Sequence, residues 1–164
     1  MKKFLMLFLV TVFASAIGCK KAETKGKVME YVKLGNAYSV KVLPVDEGDV
    51  YKDNLGVVNA PLNSTFITVG LEYKNITKES VKWYLSNRPV FISPENAEYK
   101  CDLVKSLMYS TMIKITTKNT GIGSDILNPG VSVLEGAVYV VPKEQWSKPG
   151  WRLRFEKYTD VLYK

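Results

Sequence analysis

From Asn36 onward the chain alternates apolar and polar side chains with a period of two. That is the spacing at which successive residues of an extended strand point to opposite faces. Tyr38, Val40 and Val42 share one face, and Ile67, Val69, Leu71 and Tyr73 alternate with Thr68, Gly70, Glu72 and Lys74 in the clearest strand of the chain. Val81, Trp83 and Leu85 alternate with Lys82 and Tyr84. Pro89 to Ile92 makes a short extended piece ended by the turn Ser93-Pro94-Glu95-Asn96. The pattern continues through Tyr99, Cys101 and Leu103, and through Ile113 and Ile115 against Lys114 and Thr116, until Asn119-Thr120-Gly121-Ile122-Gly123 breaks it. Asn128-Pro129-Gly130 predicts a turn before the Val-rich run 131–141, in which Gly136 marks a bulge or a closely approached backbone, and Pro142 closes the strand. Trp151, Leu153 and Phe155 form the last strand. Pro44 to Pro61 reads as an acidic loop, and no long helical period competes.

Seven or eight strands with Val, Ile, Leu, Tyr and Trp on one side and Lys, Arg, Glu and Thr on the other bury their apolar faces best as two sheets packed together. The expected fold is all-β, an antiparallel β-sandwich over residues 36–164. A closed barrel with a ligand cavity is the alternative, since strand number alone does not separate the two.

The order of motifs carries a resemblance. It runs from a Tyr-x-Val strand and an acidic loop to Phe-Ile-x-Val-x-Leu-x-Tyr-x-Asn at 66–75 and Phe91 eight residues before Tyr99. Asn128-Pro129-Gly130, Gly136-x-Val138-Tyr139-Val140-Val141-Pro142 and Leu153-x-Phe155 complete it. In this order the chain resembles a small immunoglobulin-like domain of unknown function common in bacterial surface lipoproteins, related in fold to a secreted mycobacterial immunoprotective antigen. The resemblance spans about residues 36–156 and implies an immunoglobulin-like sandwich. Its motifs are strand faces and turns, so it implies no activity.

The first residues predict an address. Lys2 and Lys3 precede an uncharged apolar run from Phe4 to Ile17, the length of a signal-peptide core and too short to span a bilayer comfortably. Ala16-Ile17-Gly18-Cys19 resembles a lipobox, with Ala16 where such boxes usually carry Leu. The resemblance implies cleavage between Gly18 and Cys19 and lipidation of Cys19, whose two or three acyl chains, at about 0.8 kcal/mol per buried methylene, anchor a chain almost permanently. Residues 1–18 are then the signal peptide and 19–35 a lipidated, lysine-bearing tether. A cleaved but unlipidated, secreted chain and an uncleaved anchor are the alternatives. Lys20 in place of an acidic residue after the cysteine implies the outer membrane in a Gram-negative host and the outer face of the cell membrane otherwise.

Composition narrows the function. Removal of residues 1–18 takes the formal charge from +7 to +5 through Lys2 and Lys3 alone. An exported basic chain meets anionic lipid, glycan or acidic protein before it meets nucleic acid, and none of its lysines form a concentrated patch. With Cys19 lipidated, Cys101 has no disulfide partner and reads as a small buried hydrophobe.

The chain holds no histidine, which removes Ser-His-Asp and Cys-His catalysis and the imidazole ligands of most catalytic zinc sites. Gly130-Val131-Ser132-Val133-Leu134 lacks the second glycine of a nucleophile elbow, no Ser-x-x-Lys signature is apparent, and Gly121-Ile122-Gly123 has Ile126 where a dinucleotide fingerprint needs glycine. Neither a glycosidase pair nor any cofactor finds support. Asp46, Glu47, Asp49 and Asp53 gather carboxylates as a hard cation needs, but without EF-hand spacing, which makes them weak metal candidates beside a solvated-loop reading. Trp146 and Tyr109 are the candidate binding residues, aromatics in segments expected to be partly exposed, with Trp146 packed under its own loop as the alternative. The expected function is a non-catalytic binding module of the cell envelope, tethered to the membrane, with a protein or glycan partner. A barrel-like carrier of a small ligand or lipid is the competing expectation.

Overall fold

The computed structural model describes residues 24–27, 29–82, 88–116, 126–155 and 159–162. In chain order the elements are β1 (Thr24–Lys27), β2 (Tyr31–Leu34), β3 (Tyr38–Gly48), β4 (Val50–Asp53), β5 (Gly56–Asn59), β6 (Ser64–Asn75), β7 (Val81–Lys82), β8 (Val90–Ile92) and β9 (Glu98–Tyr99). They continue with α1 (Leu103–Thr116), β10 (Ile126–Leu127), β11 (Ser132–Pro142), α2 (Lys143–Trp146), β12 (Arg152–Phe155) and β13 (Thr159–Leu162). One sheet has the order β11-β6-β3-β2 and a second the order β1-β13-β12-β8-β9; β7 with β10 and β4 with β5 form two small ribbons. All pairings are antiparallel except β1 with β13.

The two larger sheets are open and face each other, as the alternation predicts. Val40 and Val42 of β3, Ile67, Val69, Leu71 and Tyr73 of β6, and Val133, Ala137, Tyr139 and Val141 of β11 bury one side of the first sheet. Phe91, Leu153, Phe155 and Val161 of the second sheet, with Trp151, complete the same core. The Tyr139 hydroxyl bridges the sheets by donating to the Pro89 carbonyl at 2.7 Å. Asn75, fully buried at the end of β6, donates to the carbonyls of Glu79 and Leu127 at 2.8 Å each and accepts from the Thr77 amide and hydroxyl, which fixes the turn after the strand.

The helix α1 departs from expectation. Residues 103 and 113–115, which alternate like a strand, lie on a helix that begins where Asp102 accepts the Lys105 amide at 3.0 Å, a side-chain N-cap. Burial of Asp102 raises its pKa, but the bonds from the Lys105 side chain and amide outweigh that and hold it below the usual carboxylate range. The helix lies along the free edge of β11. There the Ser110 hydroxyl accepts the Gly136 N–H at 2.7 Å, the Ser106 hydroxyl accepts the Val138 N–H at 2.9 Å, and the Asp102 N–H donates to the Val138 carbonyl at 2.8 Å. Gly136 is the closely approached backbone anticipated in the sequence: a Cβ there would stand 2.5 Å from Tyr109 Cδ1 and 2.8 Å from the Ser110 nitrogen.

Two more expectations change. The folded part begins before Asn36: β2 pairs with β3 and buries Val32 and Leu34, and β1 pairs with β13, so residues 24–27 and 31–34 are strands and not tether. The acidic loop is instead the end of β3 and the β4–β5 hairpin, whose Tyr51 packs on Phe66 and Val138 and donates to the Lys105 carbonyl at 2.9 Å. Cys101 is half-buried beside the core and lies past the end of β9. The expected signal segment with Gly18 and Cys19, the expected strand residues Trp83 and Leu85, and the break at 119–123 lie outside the described residues.

Candidate functional site

The residues with the most chemistry among those described meet at one end of the molecule. Pro142 closes β11, and the turn of α2 that follows brings Trp146 back against the core, 7% exposed. Its rings lie 5.8 Å from Phe91 and 5.4 Å from Trp151, and Trp151 lies 5.6 Å from Tyr99, so an aromatic stack fills the interior at this end. Trp146 donates its indole N–H to the Glu47 carboxylate, Trp151 donates to the Gln145 carbonyl at 3.0 Å, and Tyr99 donates to Gln145 Oε1 at 2.5 Å. A solvent-open groove of about 470 Å³ runs along the edge of this stack, lined by Glu47, Asp49, Thr65, Lys143, Trp146 and Ser147. Its rim is charged: Lys143 pairs with Asp49 at 2.7 Å, and farther out Lys148 pairs with Glu95 at 2.5 Å. The hydrogen bond from Lys148 to Glu95 lifts the ammonium pKa above its ordinary value. Such a surface offers carboxylate acceptors, ammonium donors and a firmly held indole edge, the equipment of polar recognition.

The groove marks one pole. Thr65 lines it, and Tyr73, eight residues farther along β6 and so about 26 Å away, meets Phe155 at 6.4 Å between ring centroids. Phe155 pairs with Thr159, and Thr159 with Thr24, so β1 begins at the opposite pole.

The structure brings together Glu47, Asp49 and Trp146 and keeps the other candidates apart. Asp46 points to the outer face of its sheet, where its carbonyl accepts from Thr68 Oγ1 at 3.3 Å. Asp53 accepts the Leu55 amide at 2.8 Å in the hairpin turn. Among the described residues no three His, Cys, Asp or Glu side chains converge as a metal site would require. Tyr109 lies on α1, on the other side of the β11–β6 sheet from Trp146, where it packs with Tyr51, Phe66 and Val138; burial pushes its pKa up. Lys143, Thr65 and Ser147 carry no motif in the sequence and enter the site through the turn after Pro142 and the start of β6. A second, smaller cleft of about 250 Å³ is lined by Arg88, Pro89, Val90, Lys100, Cys101 and Leu103.

No protein-family model matches the chain. It is 27% identical over 125 residues to the uncharacterized protein YxkC of Bacillus subtilis (strain 168), covering 76% of this chain and 67% of that one. Its fold is similar to that of a conserved hypothetical protein from Bacillus anthracis, with a TM-score of 0.68 at 22% identity over 85% of this chain and 95% of the other. It is also similar to an uncharacterized β-sandwich protein from Clostridium difficile 630, with a TM-score of 0.51 at 11% identity over 88% and 97% of the two chains. The fold is that of a β-sandwich protein. In this sandwich the groove sits where strand ends and connecting turns gather, the position at which such folds carry adaptable surface.

Proposed function

We propose that this β-sandwich is an immunoglobulin-like module of a lipidated envelope protein, of the kind its sequence resembles, tethered through Cys19 and working without catalysis by binding a protein or glycan at its Trp146 pole. The observation that carries the reading is polarity. Thr24, five residues after Cys19, opens β1 at the pole opposite the groove, and five residues reach at most about 17 Å. A chain anchored at Cys19 therefore holds its β1 end at the bilayer and turns the groove outward, with Glu47, Asp49 and Lys143 along it and the buried Trp146 beneath. The filled interior at the floor of the groove favours surface contact over a carrier's cavity.

Photo-crosslinking in the membrane fraction of the native host tests this reading. A crosslinker at Glu144, exposed beside the groove, is expected to give discrete protein or glycan adducts. One at Lys78, exposed on the turn after β6 at the other pole, is expected to give none but lipid. The Cys19→Ala variant should leave the membrane fraction and lose the acyl mass. Adducts at Lys78 alone, or a wild-type chain without acyl mass, would contradict the proposal.

A further inference from the structure

The hairpin β4–β5 stands out on the surface of the sandwich. All four residues of β5 are exposed, and among the described residues β4 is its only strand neighbour. The Ala60 N–H donates to the Asp49 carbonyl at 2.7 Å, which sets the antiparallel alternation. Tyr51 with Val58, and Asp53 with Gly56, then exchange backbone bonds, and the N–H and C=O groups of Val57 and Asn59 point away from β4. The edge is apolar as well as open: Val57 is 62% and Val58 46% exposed, on opposite faces of the strand, with Leu55 at the turn and Leu62 just beyond. Exposed edges of this composition invite another strand, and native sheets ordinarily blunt them with lysine, proline or a covering element. This chain covers β11 with a helix, and among the described residues no element covers β5.

Charge indicates what fits there. Residues 44–61 carry Asp46, Glu47, Asp49 and Asp53 against Lys52 alone, an acidic segment in a chain whose formal charge is +7. Asp49 flanks one end of β5 through the Ala60 bond, and Asp53 faces Gly56 at the other end.

From the open edge, the apolar side chains and the flanking carboxylates together, we infer that β5 takes up an extended, basic segment of a partner protein as an added antiparallel strand. The backbone of Val57 and Asn59 supplies the pairing, Val57 and Val58 pack on alternate side chains of the incoming strand, and Asp53, with Asp49 once it exchanges its exposed Lys143 partner, selects lysine or arginine at the ends. The inference deepens the binding role proposed above by committing its protein partner to strand addition.

The probe is a capped peptide, Lys-Val-Lys-Val-Thr-Val-Lys-Val-Lys, with an acidic counterpart carrying Glu for Lys, titrated into residues 19–164 produced without the lipid. Amide hydrogen exchange is read residue by residue. The basic peptide is expected to slow exchange at Val57 and Asn59 at least tenfold, and the acidic one to leave both unchanged. In Val57→Pro the outward donor is gone while the ladder to β4 is kept, so the effect should vanish with exchange in the core unaltered. Asp49→Lys should weaken binding at least tenfold. Equal action of the two peptides, undiminished binding by Val57→Pro, no protection at β5, or a dimer of the free chain that Val57→Pro dissolves would each overturn the inference. Discrete adducts at Glu144 alongside any of those results would leave the binding role standing and remove only strand addition.

Discussion

The strands β11 and β5 are both edges of antiparallel sheets, and the chain treats them in opposite ways. Along β11 every N–H that faces outward near its centre has a partner on α1: Gly136 bonds Ser110 and Val138 bonds Ser106. Both serines are buried, while Leu103 and Val104 on the outer face of the same helix are 68% and 62% exposed. The inward face of the helix therefore pairs two buried serines, which satisfy backbone donors, with Tyr109 packed on Phe66 and Val138, while its outer face stays apolar and exposed. Along β5 nothing comparable lies among the described residues, and both valines are exposed. A closed edge belongs to stability and an open one to association, and substitutions should report that division.

The closed edge should be costly to disturb. Gly136→Val forces atoms into Tyr109 and the Ser110 backbone and is expected to lower stability by about 3 kcal/mol, seen as a fall in the urea midpoint at unchanged slope. Ser110→Ala leaves the buried Gly136 N–H without its acceptor and should cost about 2 kcal/mol, with Ser106→Ala similar at Val138. An equally stable Ser106→Ala/Ser110→Ala double variant would break the account of how the edge is closed. Asp102→Ala removes the helix cap and is expected to cost about 1 kcal/mol.

A smaller effect separates edge closure from ordinary surface pairing. On the outer face of β3 and β6, Glu72 bonds Lys41 at 2.5 Å and Tyr31 at 2.6 Å. Burial raises the Glu72 pKa, but those bonds outweigh it and hold it below its ordinary 4.5. A depressed carboxylate stabilises fully above its unfolded pKa and loses that contribution as pH falls through the folded one. The gap between wild type and Glu72→Gln, at most about 1 kcal/mol at neutral pH, should thus hold down to about pH 4.5 and shrink below it, as a pH series of urea midpoints would reveal. At the open edge, Val57→Thr should stay within about 0.5 kcal/mol of wild type.

The same division explains what the sequence made legible. β6 is read at once from its alternation, because one face meets the core and much of the other stays partly exposed. β11 is a nearly unbroken apolar run because its far side lies under α1, and Gly136 announces a close approach without saying what approaches. The helix itself hides. Its buried serines and exposed leucines invert the usual stripe, and Ile113 and Ile115 alternate as a strand would, although Asp102 just ahead of Leu103 is an N-cap signal. β1, Thr24 to Lys27, has no apolar residue and is held by backbone pairing with β13, so it reads as tether. In the groove, Trp146, Glu47 and Asp49 are individually visible as aromatic and acidic residues. Their meeting across 99 residues of chain depends on how β11 and β3 come to flank β6 from either side, which no local pattern encodes.

Amide hydrogen exchange of the free chain at four positions tests the contrast most directly. The account predicts strong protection at Gly136 and Val138, lost together in Ser106→Ala/Ser110→Ala, beside exchange near the unprotected rate at Val57 and Asn59. Comparable protection at all four amides, or Gly136 and Val138 exchanging as fast as Val57, would contradict it.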